Sequence, residues 1–338
     1  MYQSSMFEVS DSYARLDKAG DPLHKLQKRI DWEDLRPVLK GITFDRTAKG
    51  GRPALDPVLV VKCLIIQACY QLSDEALEYQ INDRLSFKRF IGIDVNEKSP
   101  DAKSFWLYRE RLKEQGLHED IFGWFDHQLI QNRLIAQKGQ IVDATFVESP
   151  KPTGKHTKQL KQGVALTSHQ QAQIDQDATH TKKGNAHHHG YKNHIGVDVK
   201  HKLIRTFTIT TASTHDSQVF EGLIDETNTG RDVYGDAAYK SEKSDQMIRG
   251  KKLYSQVHYR AWKNRPLTKT QERTNKNRSS IRARVEHVFG HMINSMGGLT
   301  IHTMGLPRAT VKMTFKNLAY NMQRFAFLMG QKLQVKCV

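Results

Sequence analysis

Apolar positions recur at helical spacing through the first third of the chain, then give way near residue 140 to short β-type runs. Val58, Val61, Leu64, Ile65 and Ala68 mark an almost wholly apolar stretch, which predicts a central, buried helix. Asp56-Pro57 before it pairs an N-cap with a proline at the first helical position. Ser73 caps a more polar helix whose inward positions are Leu77 and Ile81. Ser99-Pro100-Asp101 precedes a helix from Ala102 to Gln115, with Gly116 as its stop, and Leu117 to Leu134 gathers Ile121, Phe122, Phe125 and Leu129 on one face. The chain to about residue 135 is expected to be all-helical.

Beyond it, Gln140–Thr145, Val233–Ala237 and Lys251–Val257 read as strands, and Tyr191–Val199 with Leu203–Thr211 read as a hairpin joined by Lys200-His201-Lys202. The lysine-rich stretch from Ser149 to about Asn185 has little periodicity and predicts a long mobile loop. Ser213–Glu226 predicts a capped helix. Ile281, Val285, Val288, Phe289, Met292 and Met296 form the buried stripe of another, and Pro307–Met329 forms the last. The expected organisation is a helical region over 1–135, an α/β domain over 136–330 with a flexible basic insertion near 149–186, and a tail over 331–338.

Charge changes the picture. The 338 residues carry 52 Lys+Arg against 36 Asp+Glu, a net charge of +16 that points to a polyanionic partner, nucleic acid foremost. No run of 18 apolar residues exists to cross a membrane, and the first residues lack the pattern of a secretory signal. Cys63 and Cys69 sit in the apolar helix as core residues, and with Cys337 they form no metal spacing. An intracellular, reducing location is the expectation.

Against that basic background three acids stand out. Asp143 and Asp236 each lie at the end of a β-type run, and Glu286 lies at the edge of a helix stripe with Arg282 one turn earlier on the same face. Carboxylates delivered by two strands and a packed helix can gather hard divalent cations for phosphoryl chemistry. On spacing alone, ordinary acids at strand ends and on a helix surface are an equal reading.

Ile141-Val142-Asp143-Ala144-Thr145, Tyr234-Gly235-Asp236-Ala237-Ala238-Tyr239 and Arg282-Ala283-Arg284-Val285-Glu286-His287-Val288-Phe289 resemble the acidic blocks of bacterial insertion-sequence transposases with a DDE triad, and most closely the insertion-sequence-five family. Gly190–Asp198, Thr214-His215-Asp216-Ser217, Asn317–Asn321, Gly51–Pro57 and Leu85–Gly92 agree, so the resemblance spans about 22–330. It departs at Ser279 and Ile293, where related proteins carry a tyrosine and a lysine. It implies a ribonuclease-H-like catalytic domain behind an all-α DNA-binding region. It also implies Asp143, Asp236 and Glu286 as catalytic metal ligands, Mg²⁺ as cofactor with Mn²⁺ able to substitute, and two-metal cleavage of element ends followed by joining to target DNA. Double-stranded DNA would be the partner, through terminal inverted repeats and target, with a homodimer in the synaptic complex and a cytoplasmic, nucleoid-associated location. The rivals are a non-catalytic repressor descended from a transposase and a nuclease that cuts without joining.

Two segments are candidates for DNA contact. The Ala102–Gln115 helix, preceded by the Ser73 helix and the Phe87–Phe90 turn, presents Lys103, Arg109 and Arg111 like a helix-turn-helix recognition element; the alternative is a solvated basic face. The loop from His258 carries Arg260, Trp262, Lys263 and Arg265 and leads to Arg282 and Arg284. There Trp262 either stacks on an unpaired base or packs on the core. His187-His188-His189 has no cysteine beside it and reads as polar loop or DNA contact rather than a zinc site.

Overall fold

The structure is a computed structural model that describes residues 6–42, 54–151, 162–171, 173–262 and 265–336. It divides into two units, residues 1–133 with 314–338, and residues 134–313. The C-terminal helix therefore runs out of the second unit into the first, whereas its sequence position assigned it to the catalytic domain through residue 330. Its packing explains the difference: Phe325 meets Phe125 edge-on at 5.8 Å, and Lys316 Nζ donates to Ala68 O at 3.1 Å.

The helical unit holds α1 (Met6–Ala19), α2 (Pro22–Arg29), α3 (Pro57–Tyr70), α4 (Asp74–Asp83), α5 (Leu85–Ile91), α6 (Ala102–Gln115) and α7 (Leu117–Gln131). The sequence caps act as such. Asp56 accepts from Val58 N at 3.0 Å with Pro57 at the first position, Ser73 accepts from Ala76 N at 3.1 Å, and Asp101 accepts from Ser104 N at 2.7 Å. Gly116 ends α6 at φ +69°. α3 is buried along nearly its whole length, Cys63 and Cys69 included. The Phe87–Phe90 segment, expected as a turn, is the body of α5, whose Phe87, Phe90 and Ile91 are buried.

The second unit is built on six strands: β1 (Gln140–Glu148), β2 (Thr179–Lys183), β3 (Ala186–Asp198), β4 (Ile204–Thr211), β5 (Asp232–Gly235) and β6 (Tyr254–Val257). Its helices are α8 (Ser168–Gln171), α9 (Glu242–Gly250), α10 (Lys269–Asn294) and the start of α11 (Leu306–Lys336). β4, β3 and β1 are antiparallel neighbours, and β5 and β6 extend the sheet in parallel from β1. Three antiparallel strands followed by a parallel pair are the ribonuclease-H-like order. Val142, Phe220, Leu223, Val233, Tyr239, Ile248 and Val257 form a core cluster of this unit, and α10 packs along β1 and β5.

Two expectations fail in this unit. Ser213–Glu226 is no α-helix but a pair of 3₁₀ turns, Asp216–Gln218 and Glu221–Leu223. Its buried Phe220 and Leu223 lie three apart, and His215 Nδ1 accepts from Ser217 N, a local bond that competes with helix. The polar stretch expected as one long loop supplies α8 and β2; residues 152–161 and 172 lie outside the described residues. β2 pairs with the amino-terminal end of β3 through backbone bonds, and His180 stacks on His189 at 4.2 Å. The histidine triplet accordingly sits in a strand, where alternation separates its side chains: His189 is buried, while His188 stacks on Phe146 at 3.9 Å and bonds Glu148 at 2.7 Å.

Candidate acidic site

The register of β1 on β5 builds the first half of the site. Gln140 lies opposite Val233 and Ile141 opposite Tyr234, so two residues further along Asp143, still paired with Ile195 of β3, lies beside Asp236, which directly follows β5. The two strands enter together through a close backbone approach: a Cβ on Gly230 would lie 2.0 Å from the Gly139 amide nitrogen. Asn228 clamps the same point, accepting from Gly139 N at 3.2 Å and donating to Gly139 O at 2.8 Å.

Each aspartate is oriented locally, Asp143 by accepting from Ala144 N at 2.8 Å and Asp236 by accepting from Ala238 N at 2.8 Å, which caps the turn Ala237–Tyr239. Burial pushes the Asp143 carboxyl up to about 6; the Arg282 guanidinium opposes that, and the charge of Asp236 adds to it. Glu286 comes from α10, whose Val285, Val288 and Met292 are buried while Glu286 stays exposed. Arg282 links the two halves, donating through Nη1 to Asp143 at 2.5 Å and through Nη2 to Glu286 at 2.8 Å.

The donor set suits a hard cation: carboxylate oxygens, one of them in a low-dielectric position, with a guanidinium already standing as the positive charge between two of them. Among the described residues no three His, Cys, Asp or Glu side chains converge as a ready-made cage. Arg282 bridges Asp143 and Glu286 instead.

Four further residues join the site without having been assigned to it from sequence. The Tyr239 hydroxyl is buried with no hydrogen-bond partner among the described residues, and its pKa is raised by burial and then by Asp143, Asp216 and Asp236. Lys192 donates to Asp216 at 2.8 Å and to Thr214 O at 2.7 Å, which ties β3 to the Asp216 turn. His258 follows β6, where burial, then Arg282, lowers its pKa. Asp216, Lys192 and Tyr239 lie in blocks that carry the family resemblance; the signal was present, but no spacing rule connects them to the acids.

The proposed DNA contacts divide into two kinds. Arg260, Trp262 and Arg265 are exposed at a tight strand-like tip, in which Trp262 and Arg265 exchange backbone hydrogen bonds at 3.1 and 3.0 Å. The Arg260 guanidinium lies 4.8 Å from the Trp262 ring, and Trp262 is 61% exposed, so it does not pack on the core. Lys263 lies outside the described residues. Lys103 faces solvent on α6. The others are engaged within their own unit. Arg109 pairs with Asp74 through both terminal nitrogens and with Gln67 at 3.1 Å; Arg111 donates to Ile42 O at 3.0 Å and Arg284 to Val199 O at 2.7 Å. Arg109, expected as a recognition residue, thus lies opposite an acid on α4.

Residues 136–322 match the family described as Transposase DDE domain, and residues 10–111 match a further family described as a transposase domain (DUF772). The cryo-EM structure of the piggyBac transposase synaptic complex with hairpin DNA is similar at a TM-score of 0.48 and 12% identity, over 89% of this chain and 74% of that one. No single helix among the described residues is long and apolar enough to cross a membrane.

Proposed function

The chain belongs to the insertion-sequence transposases with a DDE domain, enzymes that cleave DNA and need divalent metal ions, and we propose that it binds the terminal inverted repeats of its element, cuts the ends and joins them to target DNA. One observation carries this reading. Asp143 on β1 and Asp236 just past β5 stand side by side, and Glu286 is tied to Asp143 through Arg282, all inside the span that matches the DDE domain. The sequence blocks favour the insertion-sequence-five family within that class.

When bound by Asp143, Asp236 and Glu286, Mg²⁺, or Mn²⁺ in its place, supplies Lewis-acid activation and charge neutralisation for in-line displacement at a phosphodiester. The chain's own residues do the rest. The β1–β5 register fixes the two aspartates, half-burial of Asp143 strengthens its electrostatics, and Arg282 offers a cation to the DNA backbone. The water and then the freed 3′-hydroxyl serve as nucleophiles, so no covalent protein–DNA bond is needed. Cutting two ends together requires at least two copies in the synaptic complex.

The deciding experiment incubates the full chain and Mg²⁺ with labelled duplexes carrying the inverted repeats that flank its coding sequence. Cut ends joined to target are expected. Cutting without joining makes the protein a nuclease, and binding without cutting makes it a repressor.

The exposed tip gives a second test. Stacking on an unpaired base is worth about 1–3 kcal/mol, which makes Trp262→Ala slow cleavage of paired ends about ten- to a hundredfold. Ends already unpaired at the cut should suffer little, and the melting temperature should not move, because Trp262 is exposed. Equal loss on both substrates removes the stacking role. Replacing Arg260 and Arg265 by alanine should lower the salt dependence of binding by about 0.9 for each phosphate that they neutralise in the wild type.

A further inference from the structure

We infer that Arg282 is a resident cation of the acidic site: it holds Asp143 and Glu286 together in the metal-free protein and must leave before those two acids can share a divalent ion. The inference rests on the reading of Asp143, Asp236 and Glu286 as metal ligands.

Geometry makes guanidinium and metal alternatives. Arg282 Nη1 lies 2.5 Å from Asp143 Oδ2 and Nη2 lies 2.8 Å from Glu286 Oε1, so one planar group spans the gap between the two carboxylates. A magnesium ion needs its oxygen ligands at about 2.1 Å, and an ion shared by these two acids would occupy the space and the lone pairs that the guanidinium now uses.

The way Arg282 is held makes it displaceable. On the same helix, Arg278 donates to Val257 O at 2.7 Å and to Gln256 at 3.1 Å, and Arg284 donates to Val199 O at 2.7 Å. Those partners are neutral and fixed by the fold. Both bonds of Arg282 go to the acids instead, and its Nε is buried with no partner among the described residues. Whatever neutralises the acids removes what holds Arg282, and a DNA phosphate offers its fork an anion in exchange. Asp236 makes no bond to Arg282 in the structure, so the Asp143–Asp236 pair can take an ion first, and the Glu286 side follows once DNA draws Arg282 away. Full loading is thereby tied to substrate, which restrains cutting by the free protein.

The test measures Mn²⁺ binding to the full chain, free of DNA, by calorimetry and by the electron-paramagnetic-resonance signal of unbound Mn²⁺. Arg282→Gln is expected to bind Mn²⁺ at least tenfold more tightly than wild type, or to take up a second equivalent. Arg282→Lys, which keeps a charge but loses the fork, should fall between. Adding a short DNA duplex should tighten binding by wild type and add little to Arg282→Gln. Equal or weaker Mn²⁺ binding by a folded Arg282→Gln overturns the inference. If that variant does not fold, Arg282→Lys decides in the same way. If wild type and both variants bind no Mn²⁺, or Asp143→Asn binds as well as wild type, the metal-site reading itself fails and this inference fails with it.

Discussion

Asp143→Asn is expected to abolish cleavage and joining while raising the melting temperature of the metal-free protein near pH 7. The first half follows from the loss of a ligand charge at unchanged volume. The second follows from burial, which lifts the Asp143 carboxyl from its ordinary 3.8 to about 6, with Arg282 opposing and Asp236 adding. A carboxyl whose folded pKa lies above its unfolded one contributes stability that is complete below pH 3.8 and is lost as pH rises through 6. Ionised Asp143 thus costs the metal-free fold up to about 3 kcal/mol above that range. Asparagine avoids this cost, less what Arg282 forfeits in losing an anionic partner, and a gain of a few degrees is expected. The difference from wild type should shrink as pH falls towards 4. Glu286→Gln should stop the chemistry equally with no such gain, because Glu286 is exposed. Asp236→Asn should also stop it. Calorimetric melting in chelator, set beside end-cleavage assays, checks both halves. Cleavage by any of the three variants at the wild-type rate removes that residue from the site, and a lower melting temperature for Asp143→Asn means that its pair with Arg282 outweighs its burial.

The acids were legible because their surroundings were. The apolar run before Asp236 marks a strand that stops where chemistry can begin, and the stripe through Val285, Val288 and Met292 leaves Glu286 at its edge; Asp143, expected at a strand end, instead sits inside β1, which pairs with β3 as far as Glu148. Helix ends were legible for the same local reason, as Asp56, Ser73, Asp101 and Gly116 show. β2 was not. Its Thr179–Lys183 carries no apolar alternation, and what fixes it is pairing with β3 and the stack of His180 on His189, partners close in space that leave no periodic trace. The helix expected over Ser213–Glu226 failed because its apolar residues also suit 3₁₀ turns that bury Phe220 and Leu223. Charge was the least legible property. Arg109 and Arg260 look alike in sequence, yet one faces Asp74 and the other faces solvent, and only the fold supplies that acid.

That contrast makes Arg109→Ala the second large effect, and one of stability rather than recognition. Arg109 and Asp74 are 11% and 18% exposed at the side chain, and Gln67 completes the group by bonding both, at 3.1 Å to Arg109 and 2.6 Å to Asp74. Removing the guanidinium takes both of its bonds from a half-buried carboxylate, a loss on the order of 3 kcal/mol for breaking such a pair from one side. Lysine should not restore it, since a single ammonium cannot make both bonds to the carboxylate. Asp74→Ala should cost a similar amount, and the double variant less than the sum of the two, because each single change already removes the same interaction. Lys103→Ala, on the solvent side of the same helix, should leave stability unchanged and weaken DNA binding at low salt. Urea melts of the five variants, followed by end-binding titrations at a temperature where all are folded, separate the roles. Were Arg109→Ala to melt like wild type and lose its preference for the terminal repeat, the residue would be reading DNA after all, and the pair with Asp74 would be only its resting position.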